Sequence, residues 1–304
     1  MARCRLLITG AGGLLGDELT RLCREGAWAA RVEAVPLGVA DLDVTDDAAV
    51  AVGLDRHRPD VVVNCAAYTR VDDAEHEVEA AMRVNGEAPG RLAARCRDRG
   101  VRLVHPSTDY VFDGRKRTPY VETDAVGPLS AYGRSKLAGE RAVAAAYGED
   151  PVVATSTAPH DWLVVRTQWL YGRVGPAFVK TVLRRAGRGE PLRVVDDQWG
   201  APTWGRDLAE AIVALVEAGA GGLVHVANAG AATWYDVALA ALEARGLAGR
   251  VPLARVPTSA VPRPAVRPAY GVLDCARYRR LTGRAMRPWR EALADFLATG
   301  YEEA

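Results

Sequence analysis

The chain has 304 residues, of which 49% are hydrophobic and 25% charged, and its formal net charge is +1. This length suffices for one large or two modest domains with a substantial buried core. The balanced charge gives no electrostatic basis for binding nucleic acid or an anionic membrane, and no apolar run approaches the roughly 20 residues that span a bilayer.

The cysteines and the first residues of the chain indicate its compartment. The five cysteines are widely spaced and form no C-x-x-C or Cys/His cluster, so we expect neither a zinc site nor a disulfide framework. The first residues lack the charged, apolar and small-residue regions of a secretion signal. We therefore expect a cytoplasmic protein.

A glycine-rich turn follows the first predicted strand, Cys4–Thr9. Its glycines have the spacing G-x-x-G-x-x-G, and a helix is predicted from Leu14 to Arg24. Such a turn lets pyrophosphate approach backbone amides at the helix N-terminus. The segment predicts dinucleotide binding, with contacts from Gly10, Gly13, Leu14, Leu15 and Gly16.

Two further segments are expected to contact the cofactor. The predicted strand Val32–Leu37 is followed by Gly38, where an acidic residue would favour NAD; its absence gives a mild preference for NADPH over NADH. A later strand ends in Ala66, Ala67 and Tyr68, and the small residues there leave room for the cofactor ribose.

The segment after Gly38 has two interpretations. Asp43 and Val44 are placed to hold the adenine. A helix N-cap at Thr45 or Asp46 explains the same polar residues equally well.

Strands alternate with helices along the chain, which predicts an α/β fold: a doubly wound parallel sheet of the Rossmann type. Residues 1–171 are predicted to form the dinucleotide-binding lobe and residues 172–304 a smaller, interleaved α/β lobe for the substrate. The predicted helices include Ala74–Arg99 (broken near Pro89), Ser130–Tyr147, Phe178–Arg188, Asp207–Glu217 and Trp289–Thr299; the later strands are Val101–His105, Leu163–Thr167, Leu192–Val195 and Leu223–Ala227; and Gly148–Trp162 is predicted to be a surface loop.

Tyr132 and Lys136 lie four residues apart near the start of a predicted helix, so they share one helix face. An ammonium there would lower the tyrosine pKa from about 10 toward neutrality, which suits proton exchange with a carbonyl or alcohol oxygen. Thr108, at the carboxyl end of a strand, could hydrogen-bond the same oxygen. An incidental lysine on a solvated helix gives the same pattern, but the glycine-rich turn favours hydride chemistry.

A series of motifs, in order over nearly the whole chain, resembles the dTDP-4-dehydrorhamnose reductase family of extended short-chain dehydrogenase/reductases. They are Gly10–Gly16, Asn64–Asp72, Ser107–Gly114, Tyr132–Glu140, Arg166–Tyr171, Asp197–Thr203 and Arg263–Pro268. The resemblance implies that NADPH or NADH reduces the C4 ketone of a dTDP-linked 4-keto-6-deoxy-L-sugar.

The resemblance also implies roles for individual residues. Tyr132 would protonate the oxygen, Lys136 would hold the nicotinamide ribose and lower the tyrosine pKa, and Thr108 would polarise the ketone. The substrate-binding residues would be Val71, Thr108, Asp109, Tyr110 and Trp169.

The chain departs from the family pattern at three places. Ala177 stands where members commonly have a substrate-contacting asparagine, and the loop Gly148–Trp162 is long. Some members dimerise through magnesium; Glu18 and Asp207 match two of its ligands, but Arg290 replaces the third. A magnesium-bridged homodimer is therefore doubtful, and the chain is expected to be a monomer or a homodimer.

Three alternative functions remain open. One is dTDP-dihydrostreptose synthase, which resembles this family but makes a ring-contracted sugar from the same ketone. Another is a nucleotide-sugar epimerase or dehydratase, although Asp109-Tyr110 after Thr108 is the reductase pattern. The third is a non-catalytic dinucleotide-binding subunit like the regulatory partner of methionine adenosyltransferase, which predicts a damaged catalytic set; here that set is intact.

Overall fold

A six-stranded parallel sheet forms the centre of the structure, a computed structural model that describes residues 3–150 and 160–299. The strands along the chain are β1 (Cys4–Thr9), β2 (Val32–Leu37), β3 (Val61–Asn64), β4 (Arg102–Thr108), β5 (Trp162–Thr167), β6 (Leu170–Tyr171), β7 (Leu192–Val195), β8 (Trp199–Gly200), β9 (Thr203–Trp204), β10 (Gly222–His225), β11 (Ala232–Thr233) and β12 (Leu253–Val256). The large sheet has the order β10-β5-β4-β3-β1-β2, so the strand order reverses next to β1.

The described part of the chain has eleven α-helices, some of which cover both faces of this sheet. They are α1 (Leu14–Leu22), α2 (Gly26–Ala29), α3 (Asp47–His57), α4 (Val78–Met82), α5 (Ala88–Arg97), α6 (Ala131–Ala146), α7 (Phe178–Gly187), α8 (Gly205–Glu217), α9 (Trp234–Ala244), α10 (Ala276–Thr282) and α11 (Trp289–Ala298). α1 and α8 pack on one face, and α3, α5 and α6 pack on the other. The predicted doubly wound α/β fold is confirmed.

The strand sequences explain why both faces are covered. In β1, Leu6 and Ile8 point to the layer of α1 and α8, whereas Leu7 points to the opposite layer. In β3, Val61 and Val63 likewise point to the layer of α1 and α8, whereas Val62 points to the opposite layer. Because successive side chains of a strand point to opposite faces, an uninterrupted apolar strand must be buried on both.

A second hydrophobic core lies in the C-terminal half and is built mainly from α7, α9 and α11. Beside it are three two-stranded sheets, β6 with β9, β7 with β12, and β8 with β11. The chain nevertheless returns to the first lobe, because α8 packs on α1 and β10 pairs with β5. Segments of the C-terminal half therefore contribute a strand to the large sheet and a helix to one of its covering layers.

Two predicted boundaries were wrong. The predicted helix Ala74–Arg99 begins only at Val78, and a π-helical turn, Arg83–Glu87, interrupts it just before Pro89, which itself lies in the first turn of α5 where proline is tolerated. In the predicted loop Gly148–Trp162, Trp162 is the fully buried first residue of β5. Most of that loop, residues 151–159, lies outside the described residues.

Within the described parts of the chain, no helix combines the length and apolar character that crossing a membrane requires.

Candidate active site

The glycine-rich turn lies directly after β1, where the strand order of the sheet reverses. Gly10 has a φ of +60°, and a Cβ atom there would lie 2.6 Å from the backbone nitrogen of Ala66. A Cβ atom at Gly16 would overlap the carbonyl oxygen of Gly10. Both positions therefore require glycine, because the backbone approaches itself too closely for any side chain. A doubly wound fold binds ligands at this edge of the sheet.

The first turn of α1 presents backbone N–H groups toward this edge. The helix begins at Leu14, after Gly13, and no side chain among the described residues caps it. Uncapped amides at a helix N-terminus form a favourable site for a pyrophosphate. The side chain of Leu15 is buried in the core, so this residue could contribute to such a site only through its N–H group.

The segment Ala66–Tyr68 is held against the glycine turn by two polar side chains. Asn85, in the π-helical turn, accepts from the Tyr68 N–H and donates to the Tyr68 carbonyl, both at 2.8 Å. Thr9 accepts from the Ala66 N–H at 3.4 Å and donates to Asn64 at 2.6 Å. Asn85 was not predicted to have a role, because it stands among other polar residues of the segment, such as Arg83 and Glu87.

The structure separates the two interpretations of residues 43–46. Asp46 is the N-cap of α3 and accepts from the N–H groups of Ala48 and Ala49. Asp43 is exposed and accepts from the backbone and hydroxyl of Thr45, both at 2.8 Å, which lowers its pKa. Val44 is buried. The cap prediction is confirmed at Asp46, and Asp43 keeps a solvent-facing position.

Thr108 and Tyr132 are brought together where β4 meets the start of α6. Thr108 ends β4, and Ser130 caps α6 by accepting from the Gly133 N–H at 3.1 Å. A Cβ atom at Gly133 would overlap the carbonyl oxygen of Tyr110, so the helix packs directly on the turn after β4. The Thr108 hydroxyl lies close enough to the Tyr132 hydroxyl to act on its pKa. Two hydroxyls thus meet at the carboxyl edge of the sheet.

The predicted effect of Lys136 on Tyr132 was wrong. Burial, followed by the nearby Asp109 charge, raises the pKa of Tyr132 to about 12, and only the Thr108 hydrogen bond lowers it. The Lys136 ammonium donates to the Pro106 carbonyl at 2.7 Å and does not pair with the phenol. Burial lowers the pKa of Lys136 itself to about 8.

A buried polar chain that sequence analysis missed connects Lys136 to β1. The Lys136 Nζ lies 3.3 Å from His105 Nε2, and His105 Nδ1 lies 3.3 Å from the Asn64 amide, which is bonded to Thr9. Burial and then the Lys136 charge hold the pKa of His105 well below its usual value, so the imidazole is neutral. The signal was a histidine within an otherwise apolar strand.

The substrate residues predicted after Thr108 differ in exposure. Asp109 is only 1% exposed, and burial raises its pKa to about 7. Its carboxylate accepts from Thr108 at 3.1 Å. Tyr110 is partly exposed, and its ring meets that of Tyr132 edge-on at 5.7 Å. Asp109 is therefore buried beside Thr108, because the turn directs its side chain into the protein.

Val71 lies in a segment that an ion pair ties to the C-terminal half. Its neighbour Asp72 accepts two hydrogen bonds of 2.8 Å from Arg267 and one from the Ala265 N–H. The hydrogen bond from Arg267 outweighs burial, which acts in the opposite direction, and lowers the pKa of Asp72 to about 2. This pairing joins two of the motifs singled out in the sequence.

Trp169 belongs to the second core. Its ring stacks on Trp234 with centroids 3.7 Å apart and planes 10° from parallel, and Trp234 also contacts Phe178. A Cβ atom at Gly200 would lie 2.5 Å from the Trp169 ring. Trp169 has a φ of +45°, which is unusual for a bulky residue and is maintained by this packing. The second tryptophan was not predicted.

A cavity of about 600 Å³ is lined by Glu18 and Asp207 and by none of the predicted catalytic residues. Asp207 accepts from Arg287 at 2.9 Å and from Asn228 at 2.7 Å, while Arg290 lies over the Trp289 ring. In the described part of the chain no group of three or more His, Cys, Asp or Glu residues could hold a metal.

A family model described as the RmlD substrate binding domain matches residues 4–302. The chain belongs to the dTDP-4-dehydrorhamnose reductase family. Two curated family relatives from Streptomyces are each 45% identical to it. The dTDP-4-keto-6-deoxy-D-glucose reductase of Streptomyces niveus aligns over 96% of both chains, and the dTDP-4-dehydrorhamnose reductase of Streptomyces griseus aligns over 96% of this chain and 93% of its own.

A solved structure from the same family extends the comparison to the fold. The dTDP-4-dehydrorhamnose reductase of Bacillus anthracis, in complex with NADP, has a TM-score of 0.89 and 32% identity. The alignment covers 98% of this chain and 100% of that one.

Proposed function

We propose that this protein is an NADPH-dependent oxidoreductase that reduces the C4 ketone of a dTDP-linked 4-keto-6-deoxysugar. The observation that carries the proposal is the meeting of the Thr108 and Tyr132 hydroxyls at the sheet edge that also carries the glycine turn. Two hydroxyls around one carbonyl oxygen, beside a dinucleotide cradle, suit hydride transfer to a ketone. The activities for which the two Streptomyces relatives are named agree with this chemistry.

The residues around the glycine turn fit a dinucleotide. Gly10 and Gly16 admit no side chain, and α1 offers uncapped amides beside Gly13, at Leu14 and Leu15. We propose that these residues hold the pyrophosphate. Asp43 and Val44 would lie at the adenine, and Ala66, Ala67 and Tyr68 at the ribose next to the nicotinamide. NADPH supplies the hydride when bound, and the NADP complex of the Bacillus anthracis relative supports this cofactor.

Each side chain of the site has a proposed task. Thr108 donates a hydrogen bond to the ketone oxygen, and Tyr132 gives that oxygen its proton. Lys136 has three N–H donors and uses one on Pro106, which leaves donors for a ribose hydroxyl. On the substrate side, Val71, Tyr110 and Trp169 contact the nucleotide-sugar, while Asp109 acts on it through Thr108.

The identity of the sugar needs a product analysis. The two Streptomyces relatives are equally similar to this chain and are named for different ketosugars. Ala177 also leaves α7 without a side-chain cap where a substrate-contacting asparagine was expected. NMR of the product distinguishes a 6-deoxy sugar with either C4 configuration from the ring-contracted sugar of a dihydrostreptose synthase.

We also propose that the protein works without a magnesium bridge between subunits. Asp207, one of the two candidate ligands, is already paired with Arg287, and Arg290 adds a positive charge where a third carboxylate would be needed.

The test of the proposed function is Tyr132→Phe, assayed by loss of NADPH absorbance with each of the two dTDP-4-keto sugars. Removing the proton donor is expected to lower kcat by about 10²- to 10⁴-fold while NADPH binding is retained. Tyr147→Phe is the matched control. Tyr147 directly follows the last residue of α6, and its hydroxyl has no hydrogen-bond partner in the described residues. Near-normal turnover by Tyr132→Phe contradicts the assignment.

A further inference from the structure

The Thr108 hydroxyl cannot form hydrogen bonds with Tyr110, Asp109 and the Tyr132 side of the site in every protonation state. A hydroxyl has one proton and two lone pairs. The Tyr110 N–H donates to Thr108 Oγ1 at 3.2 Å and so occupies one lone pair. Asp109 Oδ1 lies 3.1 Å from the same Oγ1. One lone pair and one proton therefore remain to be shared between Asp109 and the Tyr132 side of the site.

The protonation state of Asp109 decides how they are shared. An ionised carboxylate can only accept, so it takes the single Thr108 proton, and Thr108 then has nothing to donate to a ketone. A protonated Asp109 donates its own O–H to the second lone pair of Thr108. The Thr108 proton is then free to point toward Tyr132 and the ketone oxygen.

The surroundings of Asp109 favour the protonated form. The side chain is 1% exposed, and its second oxygen, Oδ2, is buried without a hydrogen-bond partner among the described residues. The backbone at Gly271 packs against it so closely that a Cβ atom there would overlap Oδ2.

No cation among the described residues offsets this burial of Asp109. The titratable groups that face it are Tyr132 on α6 and Tyr110 in its own turn, and the Arg267–Asp72 pair lies beyond Tyr110. Neither tyrosine carries a positive charge, so no ion pair compensates for the free energy of desolvation when this buried carboxyl, with one unpartnered oxygen, ionises.

We propose that Asp109 sets the direction of the Thr108 hydroxyl, and that only its protonated form leaves Thr108 free to donate to the substrate ketone. Asp109 is thus a positioning residue for the reaction, and the inference rests on the proposed function. Burial raises the pKa of Asp109 to about 7, so the competent form is lost as pH rises through neutrality. The loss is expected in kcat, because the Thr108 hydrogen bond strengthens as charge develops on the oxygen.

The decisive experiment is the pH profile of kcat for the wild type and for Asp109→Asn between pH 6 and 8. Wild-type kcat is expected to fall about tenfold over this range, because a group with a pKa of about 7 is mostly protonated at pH 6 and only about one-tenth protonated at pH 8. The fall continues at higher pH toward the level of Thr108→Ala, about 10²- to 10³-fold below the maximum. The asparagine amide can donate to Thr108 at every pH. Asp109→Asn should therefore show no fall, so that its kcat at pH 8 stays close to its own kcat at pH 6. A variant that keeps the wild-type inflection, or that is as slow as Thr108→Ala at pH 6, overturns the proposal.

Glu122→Gln is the matched control, because Glu122 is another buried carboxyl whose pKa is raised by burial, and it bonds the His225 N–H at 3.0 Å. It should keep the wild-type profile; loss of the inflection there would assign it to general stability and overturn the proposal. Infrared spectroscopy supplies a readout without substrate: the wild type at pH 6 should show a carboxylic-acid C=O band that Asp109→Asn lacks. Absence of that band refutes the inference, whereas a wild type that shows it but reduces neither sugar refutes the proposed function.

Discussion

A fully buried ion pair supports the catalytic strand, and breaking it gives a sharp test of the packing argument. Arg166 in β5 donates to Glu140 in α6 through two hydrogen bonds of 2.9 and 2.7 Å. Ser107 in β4, next to Thr108, donates to the same carboxylate at 2.5 Å. The exposed fractions of the Arg166 and Glu140 side chains are 2% and 0%. The pair therefore joins three elements beneath the site.

Arg166→Met removes the cation and leaves the Glu140 carboxylate buried, with Ser107 as its remaining hydrogen-bond partner among the described residues. Breaking a buried pair from one side costs about 3–5 kcal/mol, because the remaining charge is uncompensated. For a chain of 304 residues the unfolding entropy is about 0.6 kcal/mol/K, so the melting temperature should fall by about 5–8 °C. Replacing both members by apolar residues, as in Arg166→Met with Glu140→Leu, should recover a substantial part of this loss.

Scanning calorimetry of the single and double variants measures these shifts. The matched control is Arg99→Met, which breaks an ion pair with Asp55 on the surface, where Asp55 is 66% exposed. Exposed pairs of this kind contribute little to stability because water already solvates both charges. If Arg166→Met lowers the melting temperature no more than Arg99→Met does, the reasoning about the buried pair is refuted.

Two further predictions concern the cofactor turn and metal dependence. Gly10→Ala should lower the melting temperature and weaken NADPH binding, measured by fluorescence titration, because its Cβ would press on the Ala66 backbone. The control is Gly12→Ala, whose Cβ meets no described atom within 4 Å and which should leave the melting temperature unchanged. Equal effects of the two substitutions would contradict the steric argument. Removing divalent cations with EDTA should change neither the reductase rate nor the mass in solution, since Asp207 is already paired with Arg287; a drop in mass would contradict the absence of a metal bridge.

The parts of the fold predicted from sequence were those encoded locally. The glycine turn after Cys4–Thr9 and the apolar strands carry their own signals, because glycine spacing and apolar runs reflect backbone geometry. The π-helical turn was missed because it depends on Asn85 reaching the Tyr68 backbone, a contact between distant segments. Likewise Trp162 was placed in a loop, although pairing with β4 makes it part of a strand.

The candidate site was likewise predictable only where neighbouring residues encode it. Adjacency of Thr108 and Tyr132 was expected from the motifs, but the ionisation of these groups was not, since burial is a property of the assembled protein. Lys136 was expected to face the phenol, whereas the Pro106 carbonyl and His105 hold its ammonium. The partners of His105 and Asp72 lie many residues away in the chain, so no local spacing pointed to them.

The direction of the pKa shift at Tyr132 bears on which reaction the site favours. A phenol whose pKa is raised to about 12 stays protonated at neutral pH and is ready to give its proton to the oxygen of a ketone. An enzyme that begins by removing the proton of a sugar hydroxyl needs the phenolate instead, and would require a cation beside the ring to stabilise it. Here the Lys136 ammonium donates to the Pro106 carbonyl and lies beside the neutral imidazole of His105, and no cation among the described residues offsets the burial of Tyr132. In this structure Tyr132 is therefore held in the protonated form, which is the form that donates to the oxygen of a ketone.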